Sequence, residues 1–255
     1  HQYPESVGTV LGEFLVAAIL LSGTLKFEGR LTLQVKSDGP IKLLMAEATH
    51  DGKTRGIVQL VEGSQPDGDF AQLFAGGILA VTIEPNGRER YQSLVPLQGK
   101  SLSACLEHYF MQSEQLGTVI HLAADQRQAS GIMLQQLPGQ MILDPKLREH
   151  HWQNIVVLGH TLTRDELLEL GSEEILRRLF AAENIDLLTE RPVSFACSCS
   201  EQRMASALIS LGNEELEQLF VATPNVELTC EFCGDSYEFD VQSLTLWMKG
   251  DEPKH

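Results

Sequence analysis

At 255 residues the chain suits one large domain, or one domain with a small appendage. Its hydrophobic fraction of 43% predicts a packed core rather than disorder. A formal net charge of −16, with a pI near 4.8, repels phosphate backbones and argues against nucleic-acid binding as a general role.

The chain opens on HQYPESVG without an initiator methionine and reads as the continuation of something longer. The longest apolar run, FLVAAILL from Phe14 to Leu21, is eight residues, against about 20 needed to span a bilayer. No Lys or Arg precedes it, whereas Glu5 and Glu13 do, which is the wrong flank for a secretory signal. A buried helix over Val10–Leu21 and no membrane association are expected. Three strand-like runs follow, separated by turns at Asp38-Gly39-Pro40 and Asp51-Gly52. Leu31, Leu33 and Val35 alternate with Thr32, Gln34 and Lys36, the period of a half-buried strand. Asn86-Gly87 marks a hairpin within ILAVTIEPNGRERYQSLVPL. SLSACLEHYF then switches to helical spacing, with Leu102, Cys105, Leu106, Tyr109 and Phe110 on one face. Cys105 fits there as a small buried hydrophobe. TVIHLAADQRQASGIMLQQL reads as a further strand pair.

From Asp144 the pattern becomes helical. Thr163 with Glu166 three residues later forms a capping-box signature. Leu167, Leu168, Ile175, Leu176, Leu179 and Phe180 form an apolar stripe that must cover something in the folded chain. Pro192 ends this stretch. Beyond it are short helices around Met204–Leu211 and NEELEQLF, a hairpin, and a last helix near Leu244–Lys249. From Glu190 to His255 there are twelve Asp and Glu against four Lys and Arg, a net of −8. Half of the excess charge therefore lies in about a quarter of the chain. The predicted fold class is α+β: a mixed core with a β-sheet packed by helices over 1–143, a helical linker over 144–190, and a small cysteine-bearing domain over 191–255.

Four of the five cysteines lie in that last part. Cys197 and Cys199 form C-x-C, Cys230 and Cys233 form C-x-x-C, and 30 residues separate the pairs. Four thiolates from two close pairs can supply a tetrahedral S4 site for one zinc ion. Alternatively, each pair can close on itself as a local disulfide, a tight ring of the strained and labile kind. The polar, turn-like flanks argue against four buried unliganded thiols. A unit of this size with few apolar residues ordinarily needs a metal or disulfides to fold. Structural zinc contributes on the order of 10–16 kcal/mol in small metal domains, as much as the ~5–15 kcal/mol net stability of a whole domain. Loss of zinc should therefore unfold this unit, and zinc-bound sulfurs are thiolates that oxidants attack.

The segments CSCS and CEFCGDSYEF, with LSACLEHYFMQSEQLGT, TLKFEGRLTLQVKSDGP, GRERYQSLVPLQG and SGIMLQQLPG, resemble the 33-kDa heat shock protein family of redox-regulated holdase chaperones. The resemblance covers essentially the whole chain. It departs at the start, where the family has a segment absent here, and at Gly117, where a proline is common; the latter should alter a loop. The resemblance implies a cytoplasmic, ATP-independent chaperone for unfolding client proteins. It implies one zinc held by Cys197, Cys199, Cys230 and Cys233 in the inactive, reduced state. It further implies that oxidation joins Cys197 to Cys199 and Cys230 to Cys233, releases the metal, unfolds the zinc domain and linker, and yields an active homodimer.

Two other classes compete. An ordinary structural zinc module, in a protein-interaction or nucleic-acid-binding protein, predicts a metal site indifferent to peroxide or hypochlorous acid, and favours a basic unit where this one is net −8. An enzyme needs a reaction centre, and none emerges. His150, His151 and His160 read as surface or helix-face histidines. DGKTRG lacks the spacing of a phosphate-binding loop, and CEFC lies on a hairpin rather than at a helix start.

Overall fold

The structure, a computed structural model, describes residues 3–25, 28–136 and 144–249. In chain order these form α1 (Glu5–Gly23), β1 (Gly29–Lys36), β2 (Ile41–Thr49), β3 (Lys53–Leu60), α2 (Phe70–Leu73), β4 (Ile78–Pro85) and β5 (Tyr91–Pro96). Next come α3 (Leu102–Tyr109), which runs on as a π-helical turn over Phe110–Glu114, then β6 (Thr118–Ala124) and β7 (Ala129–Gln135). Three helices follow, α4 (Pro145–Gly159), α5 (Arg164–Glu169) and α6 (Ser172–Leu179), and a two-residue strand β8 (Ser194–Phe195). The chain ends with α7 (Glu201–Ile209), α8 (Asn213–Ala222), β9 (Val226–Thr229), β10 (Ser236–Phe239) and α9 (Val241–Lys249). The expected boundary between core and linker, at 143 and 144, adjoins residues 137–143, which lie outside the described residues, as do Lys26 and Phe27.

The fold is mixed α/β. Six strands form one sheet in the order β5-β4-β1-β2-β3-β8, and β6 and β7 form a separate antiparallel pair. β1 pairs antiparallel with both β2 and β4, and β8 joins the edge of β3 in parallel. The alternation read along β1 holds: Leu31, Leu33 and Val35 are buried and Lys36 is exposed.

α1 is longer than the expected Val10–Leu21. By length and composition alone it is apolar enough to cross a membrane. Its Val7, Phe14, Ala17, Ala18 and Leu21 are instead consumed by the core, where they join Leu33, Leu44, Phe74 and Leu106 in one cluster. The helix packs on β1–β3 and on β6 and β7. The second contact needs glycine: a Cβ on Gly131 would lie 2.5 Å from Val16 Cγ1.

The apolar stripe of the helical segment covers the β6–β7 pair. Leu167 and Ile175 are buried with Ala123, flanked by Ile132, Leu168 and Leu179, and Phe180 is buried as well. The capping box is formed, with Thr163 accepting from the Glu166 N–H and the Glu166 carboxylate accepting from the Thr163 N–H. Arg164 donates to the Ala124 carbonyl. It also faces Glu13 of α1, whose carboxyl burial pushes up to about 7 against the partial offset of that guanidinium. Gly117 does more than shape a loop. A Cβ there would lie 2.7 Å from Trp152 Nε1, so glycine admits the indole of α4.

By backbone packing the chain divides between Phe195 and Ala196. Arg191–Phe195 thereby belongs with the first unit, through β8. The second unit has its own small cluster of Ala205, Leu208, Leu216, Val226, Phe239 and Leu244.

Candidate metal centre

The second unit brings the two cysteine motifs together. Ser200 caps α7 by accepting from the Arg203 N–H, which fixes where the C-x-C loop ends. Arg203 reaches back and donates to the Ser198 carbonyl at 2.7 Å and to its hydroxyl at 2.6 Å, pinning the residue between Cys197 and Cys199. On the other side, β9 and β10 pair antiparallel with Thr229 opposite Ser236. The hairpin loop between them carries Cys230 and Cys233. It closes through Cys230 N–H to Asp235 O and Gly234 N–H to Cys230 O, both 2.8 Å, with Gly234 at φ +81° where an L side chain would be strained.

All four Sγ atoms lie within 4.8 Å of one another. Among the described residues, this is the group of His, Cys, Asp or Glu donors close enough to share one ion. Cys197 and Cys230 sulfurs are 3.7 Å apart, and Cys199 and Cys233 sulfurs 3.3 Å. A tetrahedron with zinc–sulfur bonds of about 2.3 Å has edges of about 3.8 Å, so the spacing suits the metal. A disulfide at about 2.05 Å is far shorter, and all five cysteines are free thiols. Both of these short contacts run between the motifs. Cys230 is buried and the other three are half-buried.

The electrostatics oppose four thiolates without a cation. The Tyr237 hydroxyl donates to Cys199 at 3.3 Å and favours its thiolate. Desolvation and the Cys197 and Cys230 thiols outweigh that and push Cys199 up. At Cys233 a hydrogen bond from the Asp235 backbone helps the anion, yet burial and the neighbouring thiols raise the thiol strongly. Tyr237 is itself pushed well up, mainly by its bond to Cys199, so it keeps its proton and remains the donor. A divalent cation inverts this balance, since it deprotonates coordinating thiols outright.

Tyr237, Arg203 and Asp235, which lies 4.0 Å from Cys199, support the sulfurs but were not singled out from sequence. Their signal was position alone, because all three lie within or directly beside the two cysteine motifs. Cys105 is buried on the core face of α3, as its spacing suggests. The three candidate histidines do not converge. His150 is exposed on α4, and His151 is 4.0 Å from Glu183. His160, at the end of α4, packs edge-on against His121 with ring centres 5.6 Å apart. Burial and the nearby His160 push His121 down, and its buried Nε2 finds no hydrogen-bond partner among the described residues.

Comparison with known proteins agrees with this geometry. The family model described as Hsp33 protein matches residues 1–240. A 33 kDa chaperonin of Azotobacter vinelandii is 45% identical over 252 residues, covering 98% of this chain and 85% of that protein. One of Pseudomonas fluorescens is 43% identical over 252 residues, with 98% and 84% covered. The crystal structure of a 33 kDa chaperonin from Thermotoga maritima superposes with a TM-score of 0.76 at 25% identity, covering 95% of this chain and 85% of that one.

Proposed function

The chain belongs to the Hsp33 family, a family of chaperonins rather than enzymes, and on that premise we propose that it is an ATP-independent holdase switched on by oxidation. The observation that carries the reading is four thiols within 4.8 Å in a unit whose apolar cluster is small. We assign Cys197, Cys199, Cys230 and Cys233 as ligands of one zinc per chain in the reduced protein. Bound there, zinc supplies a cross-link between the two loops and holds the sulfurs as thiolates.

Oxidation forms two S–S bonds, Cys197 to Cys199 and Cys230 to Cys233. Each pair of zinc-bound thiolates gives up two electrons to one peroxide, which takes two protons from solvent and leaves as two waters. Pairing within a motif is supported by its short loop, which has the smallest closure entropy. Sulfurs so bonded no longer serve as ligands, and the unit loses more stabilisation than its small core replaces. Unfolding then spreads into the linker. There the stripe of Leu167, Leu168, Ile175, Leu176, Leu179 and Phe180 gives up burial of roughly 1.5–3 kcal/mol per fully buried large side chain. Apolar surface so uncovered recognises unfolding clients, and the active form is a homodimer acting in the cytoplasm.

The test follows light scattering of a heat-unfolding client without nucleotide, with zinc release and free thiols counted in parallel. Oxidised protein should suppress aggregation, two disulfides should form per zinc released, and reduced protein should be weakly active. Leu176→Glu with Phe180→Glu should raise the activity of the reduced protein. Oxidised protein that loses zinc yet leaves aggregation unchanged overturns the reading and leaves an ordinary structural zinc module.

A further inference from the structure

The edge of the six-stranded sheet carries an arrangement that the switch alone does not require. β3 is the last long strand of that sheet, eight residues from Lys53 to Leu60, and β8 covers only its first two, pairing Lys53 with Ser194 and Thr54 with Phe195. Among the described residues no other strand pairs on this side of β3. The Ser194 N–H donates to the Gly52 carbonyl at 3.0 Å and the Val58 N–H donates to the Tyr3 hydroxyl at 3.1 Å, so the even-numbered residues aim their backbone groups at this edge. Thr54 and Gly56 lie between those two points. The clip continues upstream, where Arg191 Nη1 donates to the His50 carbonyl at 2.6 Å. Gly52, at φ +83°, has no side chain because a Cβ would lie 2.2 Å from the Pro192 carbonyl oxygen.

This clip is weakly held. Ser194 and Phe195 are both exposed, Phe195 at 62%, and Val193 beside them is 50% exposed. It buries little apolar surface and rests on backbone hydrogen bonds and one arginine. It is also placed to respond to the cysteines, since Phe195 stands two positions before Cys197 in the chain. A bare strand edge pairs with extended chain through main-chain hydrogen bonds, with little demand on sequence. That indifference suits a protein whose partners share only their lack of structure.

We propose that the β3 edge from Gly52 to Gly56, ending where Tyr3 takes the Val58 N–H, is a backbone-pairing site for extended, apolar segments of unfolding clients, and that Arg191–Phe195 occupies its first part as a built-in substitute until the cysteine unit unfolds. The inference rests on the chaperone reading and adds to it a second mode of capture, by main-chain pairing beside apolar contact. The occupant the resident clip points to is an extended segment with alternating apolar residues, because its own Val193 and Phe195 have that spacing.

The experiment uses the full chain, reduced and zinc-loaded. Ser194→Pro removes the N–H that donates to Gly52, and should raise the population of the open edge about tenfold. It should therefore suppress client aggregation without oxidant, at unchanged zinc content. A labelled peptide ERPVSFA, the sequence of residues 190–196, should bind this variant and protect the Thr54 and Gly56 amides from hydrogen exchange. The same peptide N-methylated at its serine should bind about tenfold more weakly. An unfolded client should displace the parent peptide. Arg191→Ala, which loses only the contact with His50, carries the same test should the proline variant lose zinc. Reduced variants as inactive as the parent, or equal binding of both peptides, overturn the edge site. Oxidised parent that fails to suppress aggregation overturns the chaperone reading instead, so the two failures are distinguishable.

Discussion

Phe14, Phe74, Leu33 and Leu44 are at most 1% exposed and belong to one contiguous cluster that ties α1 to the large sheet. The unit beginning at Ala196 has six buried hydrophobic residues in its cluster and four thiols gathered around one point. One region is held by packing, which temperature and denaturant weaken. The other, on the proposed reading, is held by a zinc ligand set, which chemistry can remove. A protein built from both can keep its scaffold while surrendering an appendage on a chemical cue. That separation is what an oxidation-triggered holdase needs.

The comparison is broken most easily at the sulfurs. Cys230→Ser, or a strong chelator, should abolish the fold of the second unit, a loss on the order of 10 kcal/mol. The large-sheet cluster of the first unit should keep its own thermal transition, lowered only by the loss of the linker helices that pack on β6 and β7. Calorimetry should resolve a surviving scaffold transition beside a lost one. A single transition that shifts as a whole would mean that the two regions do not melt independently.

A smaller effect sharpens the other side. Glu13 is half-buried, and its carboxyl is raised from its ordinary value to about 7, chiefly by desolvation, against the partial offset of Arg164. The unfolded chain gives up that proton more readily than the folded one. The stabilising contribution is therefore full below about pH 4.5 and is lost as pH rises through about 7. Glu13→Gln should flatten this slope, gaining on the order of 2 kcal/mol over the parent at pH 8 relative to pH 5. Urea midpoints at the two pH values measure it. Equal shifts at both would mean that Glu13 does not govern the pH response of this helix contact.

Much of the architecture is legible because its signals are local. The alternation of Leu31, Leu33 and Val35, the capping box at Thr163 and Glu166, and the two cysteine spacings each depend on neighbours in sequence. What is not legible depends on partners far apart in the chain. Ser194–Phe195 has no strand signature, being two residues after a proline-bearing stretch, and becomes a strand only because β3 offers an edge. Gly117 looks like a loop substitution until Trp152 arrives against it. The helix boundaries of α1 were short at both ends, since the apolar run marks only its most buried stretch. Tyr237 lies inside a quoted motif, yet nothing in sequence says that its hydroxyl turns towards Cys199.

That hydroxyl gives the smallest and most discriminating effect. The bond from Tyr237 to Cys199 is 3.3 Å long, and the phenol remains protonated because the sulfur accepting from it pushes its pKa up. A donor to a thiolate lowers the charge density on the sulfur, and so slows both its attack on an oxidant and its exchange out of a metal site. Its ring also packs beside the small cluster of the second unit, so the phenol has a packing role that phenylalanine preserves. Tyr237→Phe should therefore leave the fold and one zinc per chain in place while removing about 1 kcal/mol of hydrogen bonding. Transfer of zinc to a chromogenic chelator should quicken about fivefold, and Cys199 should become the first thiol lost to peroxide. If the variant and parent release zinc at the same rate, the hydroxyl contributes nothing at the sulfur and Tyr237 acts through its ring alone. Arg203→Ala then distinguishes the remaining support, because it frees Ser198 and loosens the C-x-C loop without touching any sulfur.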